Sequence, residues 1–366
     1  MTMVRFLDLK EQHQGIVAEL EAAVSRVIRS GWYILGPEVA SFEEAFASYC
    51  GARYAVGLAS GLDALVLGLV ALGISSGDEV IVPSNTYIAT WLAVSHCGAV
   101  PVPVEPDPRT YNIDPQRIEA AITKRTKVIV PVHLYGQAAD MDAIRTVAEK
   151  WGLSVLDDAA QAHGARYKGR RIGADADVTA WSFYPSKNLG ALGDGGAITS
   201  NDVEIAERIR VLRNYGSKTK YVNSVRGYNS RLDPLQAAVL SVKLKYLDAW
   251  NAHRMRIARI YDAGITGAVR PYVPEWADPV WHVYVVRHPR RDELQAKLQR
   301  AGIETLIHYP IAPHEQAAYA EFRWAPDAFP LARRLAGEVL SLPMGPHVTD
   351  ADAVQVVEAL NASAEV

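Results

Sequence analysis

One repeated pattern between about residues 54 and 200 limits the possible folds more than any other feature of the sequence. Short apolar runs typical of buried strands alternate there with stretches whose apolar residues recur at helical spacing. The seven strand candidates are YAVG, EVIVP, AVPVPV, KVIVPV, LSVLD, TAWSF and GGAITS. Strands joined by helices in this way predict an α/β three-layer sandwich around a mostly parallel seven-stranded sheet, in which the last strand can run antiparallel.

The segments on either side of this region predict further helices and a second domain. Apolar residues between Ile16 and Ile28 recur at helical spacing, and Gly31 follows them as a stop. From Asp233 a helical pattern runs to about Gly264, too long for a crossover within one sheet, so we expect it to connect two lobes. A chain of 366 residues is also too long for one ordinary compact core. The predicted division is a large α/β domain over residues 1–245 and a small α+β domain over residues 246–366.

Composition excludes several classes of function. The formal net charge is -3 and no run of Lys or Arg occurs, which argues against nucleic acid or an anionic membrane as the main partner. Cys50 and Cys97 are the only cysteines, which excludes a multi-cysteine metal site and indicates a reducing compartment. No signal-peptide core is present, and no segment reaches the roughly 18 uninterrupted apolar residues of a membrane span. The sequence therefore predicts a cytoplasmic location.

A lysine lies where an open α/β sheet places its ligands. In SFYPSKNLGALGDGGAITS, Lys187 follows the strand that ends near Phe183 and precedes a glycine-rich loop. Ligands of such sheets bind at the carboxyl ends of the strands, so the Lys187 amine can point into a cleft. Alternatively, a loop lysine of this kind is only a solvated charge.

Adjacent carboxylates end another strand candidate. In LSVLDDAAQAHGA, the strand ends in Asp157 and Asp158, and Gln161 and His163 follow. Such acids can cap a helix or, together with His163, bind a divalent metal ion. A buried acid at a strand end is also what a pyridine cofactor requires to keep its ring nitrogen protonated, and we assign this role to Asp158. Gln161 can then donate to the ring's phenolic oxygen, and His163 either supports Asp158 or packs in the core.

Two turns predict the remaining contacts of such a cofactor. In GLASGLDALVLGLVALG, a turn at Ser60 and Gly61 opens a helix whose N-terminal amides can hold a phosphate. The Walker and dinucleotide glycine patterns are absent from this turn, so a nucleoside triphosphate or NAD is not indicated. Tyr87 follows the strand EVIVP, where an aromatic ring either stacks on a flat cofactor or anchors the loop.

These residues carry a resemblance to a known family. The chain resembles the DegT/DnrJ/EryC1/StrS sugar aminotransferases, which have the aspartate-aminotransferase fold (pyridoxal-phosphate fold type I). The similar motifs run from GWYILGPEVASFEEAFA through DDAAQAHGA and SFYPSKNLGALGDGGA to NYGSKTKY and GYNSRLDPLQAAVL. Some members with a histidine at the lysine position are sugar dehydratases, whereas this chain has Lys187.

The resemblance implies pyridoxal 5'-phosphate (PLP) as cofactor, no metal ion, and a homodimer with shared active sites. Lys187 would carry the cofactor covalently and Asp158 would face the ring nitrogen, with Gln161 and Tyr87 at the ring. Phosphate contacts are implied for Ser60, Gly61, Leu62 and Ser182, and for Asn229 across the dimer interface. The implied partners are a nucleotide-linked keto sugar and, as amino donor, L-glutamate.

The sugar position is the finer prediction. SNTYIATWLAVS, VPVEPDPRTYNIDP and PVHLYGQAADMD are similar to enzymes that aminate the 3-keto position of dTDP-linked 6-deoxyhexoses. The 4-keto enzymes usually have SGT where this chain has SGL. The loop RNYGSKTKY offers cations for the diphosphate, and other side chains can line the sugar pocket. These substrate-binding candidates are Arg213, Lys218, Lys220, Arg231, Tyr184, His308 and Tyr309.

Four alternatives compete with a 3-keto sugar aminotransferase. They are a 4-keto aminotransferase of the same family, a PLP lyase or dehydratase, a non-catalytic sensor of sugar nucleotides, and a metal-dependent enzyme built on Asp157, Asp158 and His163. Lys187 argues against the dehydratase branch. Lys187, Asp158 and Gln161 together argue against the sensor.

Overall fold

The structure is a computed structural model that describes residues 3–325 and 327–364. Its strands, numbered along the chain, are β1 (Tyr54–Leu58), β2 (Glu79–Pro83), β3 (Val100–Val104), β4 (Thr126–Ile129), β5 (Ser154–Asp158), β6 (Arg166–Tyr167), β7 (Arg170–Arg171), β8 (Val178–Ser182), β9 (Gly196–Ser200), β10 (Ser217–Thr219), β11 (Val222–Asn223), β12 (Ala277–Asp278), β13 (Tyr284–Arg287) and β14 (Val339–Leu342). All seven strands expected from the sequence are present, as β1 to β5, β8 and β9.

The α-helices are α1 (Leu9–His13), α2 (Val17–Ser30), α3 (Pro37–Cys50), α4 (Gly61–Ala71), α5 (Ile88–His96), α6 (Pro115–Ile118), α7 (Met141–Trp151), α8 (Val203–Leu212), α9 (Pro234–Leu244), α10 (Leu247–Gly264), α11 (Arg291–Arg300), α12 (Pro330–Glu338) and α13 (Asp350–Ala364). Short 3-10 turns occur at Gln14–Ile16, Glu119–Ala121, Leu134–Gly136, Pro313–Glu315 and Ala317–Phe322. As expected, α2 ends at Gly31, which has the left-handed conformation (φ 64°) that glycine adopts without a Cβ clash.

The central sheet has seven strands in the order β1-β9-β8-β5-β4-β2-β3. Only β9 runs antiparallel to its two neighbours, as the sequence allowed; the other strands are parallel to one another. The carboxyl ends of β1, β2, β5 and β8 therefore lie at one edge of the sheet. The loops that follow these strands carry most of the predicted site residues, so the topology brings them together.

Helices cover both faces of the sheet, which makes three layers. Alternate residues of each strand enter different cores: Leu156 packs with α4, α5 and α8 on one face, and Val155 packs with α3, α7 and α9 on the other. This period of two, with both faces apolar, explains why the strands read as nearly continuous apolar runs.

The long helical stretch after Asp233 consists of two helices, α9 and α10. The break falls at Lys245 and Tyr246, where neither proline nor glycine signals it. The reason is tertiary, because α9 packs on α2 and α3, whereas α10 packs on α13. The predicted domain boundary between residues 245 and 246 coincides with this break and stays a prediction.

A separate hydrophobic core lies in the C-terminal part of the chain. It contains Ile257 from α10, Tyr284 from β13 and Leu360 from α13, and β13 pairs with β14 in an antiparallel ladder. Val4 also packs in this core, so the first described residues contact the C-terminal part. Within residues 3–325 and 327–364, no helix combines the length and the apolar character needed to cross a bilayer.

Two valines of α13 test this core. Val356 is 0% exposed and Val354 is 46% exposed, and both become alanine with the same change in helix propensity. Val356→Ala removes buried apolar groups and leaves a cavity, so it should lower the free energy of unfolding by about 2 kcal/mol. Val354→Ala should change it by less than about 0.5 kcal/mol. Denaturant titration of both variants measures the difference, and equal losses would contradict the assigned core.

Candidate active site

A cavity of about 480 Å³ opens at the carboxyl edge of the central sheet. It brings together residues from loops that are far apart in sequence. The predicted site residues that line it are Ser60, Gly61, Leu62, Tyr87, Asp158, Gln161, Ser182, Tyr184, Lys187, His308 and Tyr309. The last two come from the C-terminal part of the chain, so both the loops of the central sheet and the C-terminal part form walls of the cavity.

Lys187 lies in a tight turn that follows β8. Its backbone N–H donates to the Tyr184 carbonyl at 2.8 Å, and the Ala191 N–H donates to the Phe183 carbonyl at 2.8 Å. Gly190 is required within this turn, because a Cβ there would approach the Pro185 carbonyl oxygen to 2.3 Å. Burial lowers the pKa of the Lys187 amine to about 8, although the nearby Asp158 charge acts in the opposite direction. The neutral amine is therefore a minor fraction, about a tenth, at pH 7, which is far more than an ordinary lysine provides.

Asp158 ends β5 and is buried at the bottom of the cavity. Its Oδ2 accepts from the Thr90 hydroxyl at 2.9 Å, and its Oδ1 accepts from the Ala160 N–H at 3.2 Å. Burial raises the pKa of this carboxyl group, against the lowering effects of Thr90, Ala160 and the Lys187 charge. A cation placed in the cavity would favour the carboxylate again, so Asp158 is suited to face a positively charged ring nitrogen.

Thr90 was not predicted from the sequence. It lies in the first turn of α5, and its hydroxyl is 2.9 Å from that of Thr86 as well as from Asp158. The two threonines are four residues apart, a spacing that puts side chains on one side of a helical turn. This spacing is the one sign of the pair in the sequence. It does not show that Thr90 contacts Asp158, because that contact forms only when the fold brings β5 beside α5.

The N-terminus of α4 forms the anion-binding end of the cavity. The Ser60 hydroxyl oxygen caps this helix by accepting from the Asp63 N–H at 3.1 Å, and its hydrogen has no acceptor within the described residues. Gly61 permits the close approach of this turn to β8, since a Cβ would come within 2.5 Å of the Ser182 Cβ. Free N–H groups, the helix dipole and two hydroxyls therefore face one small region.

Tyr87, Gln161 and Tyr309 surround the middle of the cavity. The Tyr87 ring is half exposed, and its centroid lies 5.0 Å from that of Tyr309 at an angle of 36°. Gln161 Oε1 accepts from the Tyr135 N–H at 2.6 Å, which directs Nε2 to the Tyr309 hydroxyl at 2.9 Å. The donor end of the Gln161 amide therefore faces the cavity, as its predicted contact with a ring oxygen requires.

Several other candidates lie outside the cavity of this single chain. Lys218 and Lys220 are exposed on or beside the β10–β11 hairpin, Asn229 is exposed, and Arg231 donates to Asn214 Oδ1 at 2.8 Å. The prediction for Arg213 is wrong: it is buried, forms a salt bridge with Glu43 and donates to the Gly57 carbonyl at 2.8 Å. A loop sequence does not reveal that such a cation turns inward to the partly buried Glu43.

His163 packs rather than supporting Asp158. Its ring lies 5.2 Å from that of Trp181 and 5.7 Å from that of Phe183. Burial and the Lys187 charge lower its pKa to about 3, so the ring is neutral.

The cavity fits the cofactor that the resemblance implies. An amine with a lowered pKa, a buried carboxyl group, an open aromatic face and a helix N-terminus correspond to the aldehyde, ring nitrogen, ring face and phosphate of PLP. Gly61 strengthens this correspondence, because only a residue without a side chain leaves the α4 amides this close to Ser182. When bound, the cofactor supplies an electrophilic carbon and an aromatic electron sink.

Comparison with protein families and characterised proteins gives a consistent result. The model of the DegT/DnrJ/EryC1/StrS aminotransferase family matches residues 14–361. A dTDP-3-amino-3,4,6-trideoxy-alpha-D-glucose transaminase of Streptomyces venezuelae is 53% identical and covers 99% of this chain and 96% of its own. A dTDP-3-amino-3,6-dideoxy-alpha-D-galactopyranose transaminase of Aneurinibacillus thermoaerophilus is 54% identical, and the match covers 98% of this chain and 99% of the relative.

Two further matches bear on function and structure. The erythromycin biosynthesis sensory transduction protein EryC1 of Saccharopolyspora erythraea is 54% identical and covers 99% of this chain and 100% of its own. The crystal structure of S. venezuelae DesV in complex with a ketimine intermediate has a TM-score of 0.98 at 52% identity, and each chain is covered completely. The fold of the chain is therefore that of a solved aminotransferase.

The lowered pKa of Lys187 predicts how the apoprotein captures PLP. Only the neutral amine attacks an aldehyde, so the rate should rise about tenfold per pH unit below pH 8 and level off above it. Stopped-flow absorption of the bound cofactor across this range measures the profile. Lys187→Arg, which keeps the charge but cannot condense, should show no bound-cofactor band. A half-maximum near the ordinary lysine pKa of 10.5 would contradict the assigned environment.

Proposed function

The chain belongs to the DegT/DnrJ/EryC1/StrS aminotransferase family and is a PLP-dependent transaminase, and on this premise we propose that it aminates the 3-keto group of a dTDP-linked 6-deoxyhexose with glutamate as amino donor. The observation that carries this proposal is the shared cavity of Lys187, Asp158 and the α4 N-terminus. The reaction belongs to the synthesis of deoxyamino sugars.

Lys187 and Asp158 have complementary roles in this proposal. With the cofactor bound, the free Lys187 amine would act as the base that takes a proton from the substrate carbon and as the acid that returns it to the cofactor side. Its pKa of about 8 suits both directions near neutral pH. Asp158 would face the ring nitrogen and, as a carboxylate, would stabilise a positive charge there. The α4 N-terminus, Ser60 and Ser182 hold the phosphate, and Tyr87 packs on the ring.

The sugar nucleotide would extend from the reacting carbon past the C-terminal part of the chain. We assign Tyr184, His308 and Tyr309 to the sugar pocket, which is supported by their position in the cavity wall. Lys218, Lys220 and Arg231 would meet the diphosphate, which is supported by the charge and exposure of the hairpin that carries the two lysines. These cations lie outside the cavity of one chain, so this contact requires the partner subunit.

The two transaminase relatives support the 3-keto position. Both are named for dTDP-3-amino sugars, but one product is a 3,4,6-trideoxyglucose and the other a 3,6-dideoxygalactopyranose. Their identities to this chain are nearly equal, so the configuration and substitution at C4 are left open. Amination of a 4-keto sugar is the alternative within the family.

A sensor without turnover is the alternative of a different class, and the name of the EryC1 relative favours it. A sensor would bind the cofactor or the sugar nucleotide but would not need a free amine beside a buried carboxyl group. Lys187 and Asp158 are both present at this cavity, which supports catalysis.

We further propose a cytoplasmic homodimer in which each active site uses Asn229 of the other subunit. The exposed position of Asn229 outside its own cavity supports this arrangement. Exposed apolar side chains at Trp32, Tyr33 and Ile34 provide surface that a partner subunit would cover.

The glutamate half-reaction tests the proposed chemistry. Adding glutamate to the PLP-loaded protein should remove the visible absorption of the Lys187-bound cofactor in the wild type. Lys187→Ala should show neither this band nor its loss. Asp158→Asn keeps the size of the side chain and should still capture PLP, but it should lower the rate about 100-fold or more because the ring nitrogen loses its anionic partner. A wild type that binds PLP without responding to any amino donor would favour the sensor.

Hybrid dimers test the shared site. Co-expression of Lys187→Ala with Asn229→Ala, each with a different affinity tag, gives hybrids with one intact site and one doubly altered site. At a PLP concentration that saturates only intact sites, the random mixture should show about a quarter of the wild-type activity. Each variant alone should be nearly inactive under these conditions. An absence of restored activity in purified hybrids would show that Asn229 does not act across the interface.

A further inference from the structure

His282, just before β13, lines the same cavity as Lys187 although the sequence gave no reason to select it. Its side chain is 8% exposed. One ring nitrogen, Nδ1, faces away from the cavity to the buried side chain of Asn188, the residue after Lys187, at 3.2 Å from its Oδ1. If Nδ1 carries the hydrogen of this bond, the other nitrogen of a neutral ring, Nε2, carries none.

The side-chain amides of Asn251 and Asn188 determine on which atom that hydrogen lies. Asn251 Nδ2 donates to the His163 carbonyl at 2.8 Å, and a carbonyl can only accept, so the orientation of the Asn251 amide is fixed. Its Oδ1 accepts from Asn188 Nδ2 at 2.9 Å. Asn188 Nδ2 also donates to the Val280 carbonyl at 2.9 Å, which uses both of its hydrogens. The only polar atom left on the Asn188 amide is therefore the acceptor Oδ1.

The hydrogen between Asn188 and His282 must consequently lie on His282 Nδ1. Burial, together with the Lys187 charge, holds the pKa of His282 well below its usual range, so the ring is neutral and carries one hydrogen only. Nε2 is then an unprotonated acceptor. Nε2 has no hydrogen-bond partner within residues 3–325 and 327–364, and it is not fully buried. Because His282 lines the cavity, the exposed Nε2 faces that cavity.

The backbone holds His282 rigidly in this place. Its N–H donates to the Tyr135 carbonyl at 3.0 Å, and its carbonyl accepts from the buried guanidinium of Arg254 at 3.3 Å. Gly136 lies against the same amide, because a Cβ there would come within 2.9 Å of the His282 nitrogen. Backbone and side chain together leave the ring little freedom, which preorganises the direction of Nε2.

We propose that His282 is a positioning residue for Lys187, whose free amine donates a hydrogen bond to Nε2 of His282. Neither Lys187 Nζ nor His282 Nε2 has a hydrogen-bond partner in the described chain, and both residues line the same cavity, so the proposed bond forms when the amine turns towards Nε2. Both oxygens of Asp158 already accept from Thr90 and Ala160. An amine that donates one N–H in a fixed direction has fewer orientations available for the lone pair that takes up the proton. This role rests on the proposed function of Lys187.

The tautomer can be measured without cofactor or substrate. In apoprotein labelled with 15N at the histidine rings, the His282 signals are those lost from the spectrum of a His282→Asn variant. We expect the shift of a protonated nitrogen for Nδ1 and that of an unprotonated nitrogen for Nε2. A protonated Nε2 would overturn the proposal, because it would then offer a donor to the cavity.

Two substitutions separate the acceptor from the ring. His282→Asn places an amide nitrogen near the position of Nδ1, which keeps the donor to Asn188 and removes the acceptor in the cavity. His282→Gln places an amide oxygen near the position of Nε2 and restores an acceptor. The single-turnover rate with glutamate should fall about 100-fold in His282→Asn and stay within about tenfold of wild type in His282→Gln. The dissociation constant for glutamate should be unchanged in both.

The possible outcomes are distinguishable from failure of the proposed function. Equal rates in wild type and His282→Asn, or equal losses in both variants, would overturn the positioning role while leaving the aminotransferase intact. A wild type that does not react with glutamate or any other amino donor would overturn the proposed function. The assigned role of His282 would fall with it, while the spectrum of the apoprotein would still decide the tautomer.

Discussion

The electrostatic coupling between Lys187 and Asp158 inside one cavity is the interaction on which the rest of the site depends. Burial favours the neutral form of each group, lowering the pKa of the amine and raising that of the carboxyl group, while each charge favours the charged form of the other. The amine is therefore available as a nucleophile and base near neutral pH. A cation placed opposite the carboxyl group favours its charged form, so the cavity suits a cationic ring.

The parallel sheet makes this coupling possible. The carboxyl ends of β1, β2, β5 and β8 lie at one edge, so residues more than a hundred positions apart reach one cavity. Two glycines allow the necessary close approaches: Gly61 brings the α4 N-terminus to β8, and Gly190 closes the turn that carries Lys187. The C-terminal part adds the remaining wall through His282, His308 and Tyr309.

Much of this arrangement could be predicted from the sequence because it depends on local patterns. The seven strands follow from apolar periodicity, and the grouping of Lys187 with Asp158 follows from the position of each residue at a strand end. The sequence allowed an antiparallel β9 without requiring it. Thr90 and His282 could not be selected, since their roles arise only when distant segments meet. For the same reason the inward turn of Arg213 towards Glu43 and the break between α9 and α10 were not predicted. Both depend on what each segment packs against.

The most direct measurement is transfer of an isotope label from amino donor to sugar. The PLP-loaded protein is incubated with 15N-glutamate and a dTDP-linked 3-keto-6-deoxyhexose, and the nucleotide sugar is then analysed by mass spectrometry and 15N-coupled NMR. The account predicts one 15N atom, bonded to C3 of the sugar, and none in the product formed by Lys187→Ala. Label at C4 would contradict the assigned position. An unlabelled sugar, with glutamate and other amino donors alike, would contradict the assignment of amino transfer to this cavity.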